Sequence, residues 1–305
     1  MKKILITGAK GFLGSNSSRH LHDLGHEVYG IGHGSLSKEQ LRELGLKHWK
    51  EADISIQSIL EIEQLFDIII HCGGGGSVGY SIEHPKEDYQ KTVVSTHEVL
   101  EFMRLHNPLA HLIYPSSPAV QGEHSDEPIS EDFIGKPTSP YGYHKKNVED
   151  LCIKYSDNFG LNISVVRLFS VYGNGLKKQL LWDACKKIVN SREEAIFLGS
   201  GKETRDFIHI TDVLALFDFL MSKKDKFLII NGGTGFKYTV LEIVEMIRDL
   251  INPKIKIKFN NKTNKGNPIY YWADVRKLQQ SGFSTIKKLK YEIKEYVDWV
   301  ISLND

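Results

Sequence analysis

The segment KILITGAKGFLGS, residues 3–15, joins an unbroken apolar run to a helical pattern through a turn holding Gly8, Gly11 and Gly14. A run that is apolar at nearly every position suits a strand covered on both faces, and such strands belong to parallel sheets flanked by helices. The rhythm recurs along the first half of the chain. KILITG (3–8), EVYGIG (27–32), KHWKEADI (47–54), DIIIHC (67–72), HLIYPSS (111–117) and ISVVRLFSV (163–171) read as strands, with helical patterns such as 12–24 and 88–105 between them. Alternation of this kind implies right-handed crossovers and an α/β fold with a doubly wound parallel sheet of the Rossmann type. After about residue 170 the rhythm loosens. Amphipathic helices at 177–189 and 239–251 then lie near the strands FLIING and KIKIKF. The pattern predicts a dinucleotide-binding domain over 1–168 with roughly 206–236, and a smaller C-terminal α/β cap over 169–205 and 237–305.

Three glycines between a strand and a helix have a physical reading. Gly8 allows the tight turn, Gly11 lets the backbone approach a pyrophosphate, and Gly14 permits close packing of helix on sheet. An anion then rests on the free N–H groups at the helix start, around Phe12 and Leu13. The 305 residues are 41% hydrophobic with a net charge of +1, which argues against a nucleic-acid or anionic-membrane surface, since those need a field of one sign. Cys72, Cys152 and Cys185 have no metal-ligand spacing and read as buried thiols of a reducing compartment. The N-terminal apolar run is too short for a signal peptide, and no run approaches the ~20 residues that span a bilayer. The expectation is a soluble cytoplasmic protein without a metal.

The second chemical feature is TSPYGYHKK, residues 138–146. Ser139 is a suitable helix cap and Pro140 suits the first helical position. Tyr141 and Lys145, four apart, then share one face of the first turns. A free phenol, with a pKa near ~10, exchanges protons poorly at neutral pH, and a neighbouring ammonium favours the phenolate. On its own such a pair is a common surface feature. Tyr143 and Lys146 crowd the motif without the matching partner.

Together, the Gly8–Gly11–Gly14 spacing, the strand LIYPSSPAVQG and the Tyr141/Lys145 pair resemble the extended branch of the short-chain dehydrogenase/reductases. These are the nucleotide-sugar epimerases, dehydratases and reductases. The resemblance spans almost the whole chain. It implies a hydroxyl five residues before Gly122, which selects Ser117 over Ser116 as the group that steadies a developing alkoxide beside Tyr141 and Lys145. Lys145 also falls among the cofactor contacts it implies, with Gly8, Lys10, Gly11, Phe12, Leu13, Gly14, Asp53 and Ile54. Asp53 matches the acceptor for the adenine amino group, and by itself reads equally as a strand-end cap. His71 and the following loop, including Ser77, match the family's fourth strand and a substrate loop. Ser170, Gln179 and Arg205 match cap contacts to the nucleotide sugar, with Arg205 on the diphosphate. A homodimer through the Tyr141 helix and the 88–105 helix is also implied.

Departures from the pattern bear on the reaction. Family members specific for NAD end the second strand in an acid, and here Gly32 and then His33 stand there. Without that carboxylate a 2′-phosphate is not repelled, and Lys10, His33, Ser35 and Lys38 offer it charge or hydrogen bonds. NADP is therefore the expected cofactor, with NAD as the alternative. Pro118 and Ala119 replace the Asp-Glu pair of the dehydratases, which argues against 4,6-dehydration. Thr92, Gln121 and Ser170 replace residues usual in the family, and Asn264 or Lys265 stand where an arginine is usual. The balance favours NADPH-dependent reduction of the C4 ketone of a nucleotide-linked 4-keto sugar, with an NAD-dependent nucleotide-sugar 4-epimerase as the alternative. A non-catalytic dinucleotide sensor on this fold typically lacks the tyrosine or the lysine, and this chain keeps both.

Overall fold

The computed structural model describes residues 1–223, 225–262, 266 and 268–303. The chain divides into two compact units, the first comprising 1–122, 136–167 and 214–230, the second 123–135, 168–213 and 231–305. In the first unit the elements are β1 (Lys3–Thr7), α1 (Phe12–Asp23), β2 (Glu27–Gly32), α2 (Lys38–Glu43), β3 (Leu46–Glu51), α3 (Ile56–Leu60), β4 (Ile68–His71), α4 (Val78–Glu83), α5 (Pro85–Tyr89), α6 (Ser95–His106), β5 (His111–Ser116), α7 (Pro140–Phe159) and β6 (Asn162–Leu168). A π-helical turn, Gln90–Val94, links α5 to α6. The strand order β3-β2-β1-β4-β5-β6 reverses direction between β1 and β4, and these six strands pair in parallel. Such a reversal opens a crevice beyond the carboxyl ends of the strands, where α/β sheets bind ligands. The central strands β1, β4 and β5 are largely apolar because both faces are covered: Ile4, Leu5, Ile6, Ile69, Ile70, Leu112 and Ile113 are fully excluded from solvent or nearly so.

The second unit adds β7 (Ser170–Tyr172), α8 (Gln179–Val189), β8 (Glu194–Phe197), β9 (Thr204–Arg205), β10 (Phe207–His209) and the start of α9 (Ile210–Met221). Beyond β11 (Phe227–Gly232), which extends the large sheet beside β6, come β12 (Tyr238–Thr239), α10 (Val240–Ile251), β13 (Lys256–Phe259), α11 (Arg276–Gln280) and α12 (Leu289–Ser302). Helices α8, α10 and α12 bury Leu181, Ile243, Ile247 and Val297 in a core of their own.

Several boundaries differ from the sequence reading. The strand expected over 163–171 is two, β6 and β7, with Phe169 between them. The strand expected over 47–54 ends at Glu51, because the Ala52 amide turns back to the Gly32 carbonyl and Ser55 caps α3. The units also depart from the expected domain limits: 123–135, 206–213 and 231–236 all lie in the second unit. For 123–135 the cause is backbone pairing, since the Ile129 amide donates to the Trp272 carbonyl and the Asp274 amide donates to that of Ile129. Residues 206 and 231–236 join it because the buried Asp206 carboxylate accepts from the amides of Thr234, Gly235 and Ala273.

Helix α7 is anchored from beneath by a buried ion pair. Arg167 on β6 donates from Nε and Nη2 to the two carboxylate oxygens of Glu149 (3.1 and 2.8 Å), and Ser116 Oγ donates to Glu149 at 2.6 Å. Removing one partner of such a pair leaves an uncompensated buried charge. Arg167→Ala is therefore expected to lower unfolding stability by roughly 3–5 kcal/mol in urea titration. The double replacement Glu149→Gln with Arg167→Met, which leaves no unpaired charge, should cost less than the single change.

Candidate active site

The β1–α1 turn lies on the rim of the crevice. Gly8 has φ +66°, and a Cβ there would lie 2.9 Å from the Cys72 carbonyl oxygen and the Gly73 nitrogen, so the backbones after β1 and β4 touch. A Cβ on Gly14 would lie 2.3 Å from the Gly8 carbonyl oxygen, so α1 packs directly on the turn. Gly11 is the N-cap of α1 and no side chain caps the helix. The first-turn amides of Phe12, Leu13 and Gly14 therefore lack an intrahelical acceptor, and no carboxylate sits in that turn. These residues fit a bound pyrophosphate.

Around the end of β2 the side chains are already engaged with one another. A Cβ on Gly32 would meet the Trp49 ring at 3.1 Å, and Trp49 Nε1 donates to the Gly34 carbonyl at 3.0 Å. Lys10 Nζ donates to the Ser35 carbonyl at 3.2 Å, and His33 Nε2 faces Asp53 Oδ1 at 3.4 Å, with both of these side chains exposed. Lys38 opens α2 behind its Ser37 cap. Ile54 lies against Gly73, where a Cβ would meet its Cδ1 at 2.2 Å.

Behind the turn, His71 ends β4 in a closed hydrogen-bond chain. Thr96 Oγ1 donates to the Thr92 carbonyl and so accepts from His71 Nε2 (2.9 Å). Thr7 Oγ1 accepts the Gly73 amide and donates to His71 Nδ1 (2.7 Å). The chain of donors requires a neutral ring protonated at Nε2, and burial accordingly pushes the His71 pKa down to about 3.

Three of the sequence-selected residues come together at the carboxyl end of β5. Ser139 caps α7 by accepting from the Gly142 amide (3.2 Å), and Pro140 is the first helical residue. The cap sets Tyr141 and Lys145 on the helix face toward β5. Ser117 is buried at the end of β5 and hydrogen-bonds to the Tyr141 hydroxyl. Ser116 is turned away to Glu149, which separates the two serines by geometry. Lys145 Nζ donates to the Pro115 carbonyl and to Tyr114 Oη, both at 2.9 Å, and lies 5.9 Å from the Tyr141 ring centre. Burial pushes the Tyr141 phenol up to about 12, against the pull of the Ser117 hydrogen bond, and pushes Lys145 down to about 8. Tyr143 and Lys146 take no part: Tyr143 is exposed and Lys146 pairs with Asp150.

The remaining candidates are dispersed. In the first unit, Ser77 is the exposed N-cap of α4 and accepts from the Tyr80 amide. In the second, Ser170 pairs with Phe207 across β7 and β10, and Gln179 starts α8 with φ +70°. Arg205 Nη1 donates to the carbonyls of Thr204 (2.6 Å), Pro268 (3.1 Å) and Ile269 (3.3 Å), and the guanidinium lies 5.8 Å from the Tyr271 ring centre. Asn264 and Lys265 lie outside the described residues. Among the described residues no three His, Cys, Asp or Glu side chains gather to hold a metal, and no helix is long and apolar enough to cross a membrane. Sequence reasoning missed Tyr114 as the partner of Lys145, and it missed Asp88 and His144, which pair across the base of the site at 2.6 Å.

Sheet order, glycine turn and the Ser117–Tyr141–Lys145 set define a protein of the extended short-chain dehydrogenase/reductase type. The model of the NAD dependent epimerase/dehydratase family matches residues 4–233, and the chain belongs to that family. It is 28% identical over 296 residues to a UDP-glucose 4-epimerase of Corynebacterium glutamicum, a match covering 91% of this chain and 89% of the relative. Among solved structures it is similar to the UDP-glucuronic acid 4-epimerase of Bacillus cereus, solved with UDP-glucuronic acid and NAD, at 26% identity and a TM-score of 0.87 over 99% of each chain. The fold is shared as well with a UDP-glucose 4-epimerase of Thermotoga maritima, with a TM-score of 0.88 at 22% identity, covering 99% of this chain and 100% of the other.

Gly14 and Gly25 provide a matched pair of substitutions for the turn. Gly14→Ala forces a methyl against backbone, whereas a Cβ on Gly25, at φ +82°, meets nothing within 4 Å. In calorimetric titration with NAD, Gly14→Ala is expected to weaken binding by about tenfold or more, on the order of 1.4 kcal/mol. Gly25→Ala should leave the affinity unchanged.

Proposed function

We propose that this chain is a nucleotide-sugar 4-epimerase that works with NAD. The observation that carries the reading is the likeness over 99% of the chain to a 4-epimerase solved with its nucleotide sugar and NAD, joined to the Ser117–Tyr141–Lys145 cluster at the carboxyl end of β5. It takes the place of the 4-keto reductase preferred from sequence, which rested on the absence of an acid at Gly32. Packing supplies another reason for that glycine, because Trp49 fills the space a side chain would need. Two of the groups expected to attract a 2′-phosphate have partners within the chain: Lys10 donates to the Ser35 carbonyl, and His33 faces the exposed carboxylate of Asp53. A carboxylate there would disfavour a further negative charge.

The bound cofactor supplies a hydride acceptor that also returns the hydride. In this reading the protein's own groups move the proton. Tyr141, as the phenolate that the Ser117 hydrogen bond favours, takes the proton of the sugar C4 hydroxyl as the C4 hydride leaves, and the resulting phenol returns it when the hydride comes back to the other face. Ser117 donates to the oxygen that carries the developing charge. Lys145 keeps a cation near the phenol; since its pKa is lowered to about 8, that cation is lost as pH rises through about 8. Activity is therefore expected to fall on the alkaline side near that value. In the second unit Arg205, oriented by three carbonyls, is proposed as a diphosphate contact, with Ser170 and Gln179 as further contacts; in the first unit Ser77 is proposed as a sugar contact. We also propose pairing with a second copy through α6 and α7, where a groove is lined by Tyr89, Val93, His97 and Leu151.

UDP-glucose, UDP-galactose and UDP-glucuronic acid provide the test. The expected outcome is C4 inversion of at least one of them with no net oxidation of added NADPH, and a kcat in Tyr141→Phe reduced about 10²–10⁴-fold. Stoichiometric NADPH consumption by a 4-keto sugar, without inversion of any of the three, would instead support the reductase.

A further inference from the structure

The Asp88–His144 pair is not needed to explain cofactor binding or proton transfer, yet its surroundings are unusually constrained. Asp88 is fully buried, and its Oδ2 lies 2.6 Å from His144 Nδ1, with the histidine side chain only 12% exposed. The other carboxylate oxygen, Oδ1, has no hydrogen-bond donor among the described residues. It occupies the space where Gly75 would carry a side chain, since a Cβ there would lie 1.8 Å from it. Thr92, one helical turn beyond Asp88, accepts the Gly75 amide at 2.9 Å. The glycine segment after β4 is thus bonded by Thr92 and packed against by Asp88, two side chains four residues apart.

His144 is placed to carry that restraint into the catalytic helix. It lies three residues after Tyr141 and immediately before Lys145, in the first turns of α7. Its ring packs edge-on against Tyr89, and the Tyr141 amide donates to Ser81 Oγ at 3.0 Å from the α4 side. Titratable groups facing this corner are Asp88 from α5, Tyr89 beside it, and Tyr141 and Lys145 on α7 itself. A buried carboxylate with one partner is costly to hold, so its single bond to His144 resists displacement.

We propose that Asp88 and His144 are a positioning pair that ties the glycine segment after β4 to the first turn of α7 and so holds the Tyr141 hydroxyl beside Ser117. The proposal rests on Tyr141 being the proton-transferring group. Losing the tie frees the start of α7, and Tyr141 moves toward solvent. Asparagine at 144 retains an N–H for Asp88, whereas alanine does not.

The variants are His144→Ala, His144→Asn and the double change Asp88→Asn with His144→Ala, the last removing the buried charge along with the tie. Two readouts are taken for each, with the melting temperature. The first is the fraction of Tyr141 ionised at pH 10.5, from absorbance at 295 nm against the same protein carrying Tyr141→Phe. The second is kcat and KM for a UDP-sugar that the wild type epimerises. The wild type should be less than about a tenth ionised at that pH, and His144→Ala more than about a third, as burial is lost. In His144→Ala and in the double variant kcat should fall at least about tenfold with KM within about twofold, and His144→Asn should recover most of the loss. Unchanged Tyr141 ionisation in His144→Ala would overturn the proposal. So would a kcat loss that disappears in the double variant as its melting temperature recovers, because the pair would then serve stability alone. Absence of epimerisation in the wild type would defeat the functional reading, while the ionisation readout would still decide the proposal.

Discussion

The close approach of two backbones, at Gly8 after β1 and at Cys72–Gly73 after β4, is the constraint on which the rest of the site depends. The strand order reverses between these two strands, so both chain segments turn away from the sheet on the same rim. Gly8 can approach only because it lacks a Cβ, and α1 can seat its N-terminus there only because Gly14 lacks one as well. From β4 the same rim carries the glycine segment held by Asp88 and Thr92. From β5 it carries Ser117, against which α7 presents Tyr141 and Lys145. One packing contact therefore places the open first-turn amides of α1 on the same rim as the Ser117–Tyr141–Lys145 cluster.

The electrostatics of that rim are set by burial more than by pairing. Burial, with a smaller push from the Asp88 charge, drives the phenol of Tyr141 upward, and burial drives the ammonium of Lys145 downward. The Ser117 hydrogen bond is the interaction from the chain that favours the phenolate. Lys145 is held by the Pro115 carbonyl and Tyr114, with its ammonium 5.9 Å from the Tyr141 ring centre. The lysine expected from sequence to tune the tyrosine directly is thus better described as a fixed charge set on a rigid mount.

What could be read from the sequence was local. The apolar strands, the glycine turn, the Ser139–Pro140 helix start and the Tyr141/Lys145 spacing are all patterns within a few residues, and the structure keeps each of them. Interactions between distant positions escaped. Asp88 and His144 are 56 residues apart, and Tyr114 and Lys145 are 31 apart, and neither pair has a spacing that marks it. Family resemblance singled out Ser117 over Ser116, and the reason Ser116 takes no part, its bond to Glu149 behind the strand, lies between residues 33 apart. The segment 123–135 looked like part of the first domain because its pairing partner, Trp272, lies far along the chain. Gly32 misled for a similar reason: the missing acid suggested a phosphate, whereas Trp49 from the neighbouring strand occupies the space.

Transfer of a C4 hydride to a bound acceptor and back to the opposite face is the central claim, and isotope retention tests it most directly. A UDP-sugar deuterated at C4 would be incubated with the protein in ordinary water and the C4 epimer isolated for mass spectrometry and NMR. The account predicts inverted product that keeps its deuterium at C4. Inverted product that has exchanged the label for solvent hydrogen would contradict it, because the C4 hydrogen would then leave as a proton and the Ser117–Tyr141–Lys145 cluster would be doing different chemistry.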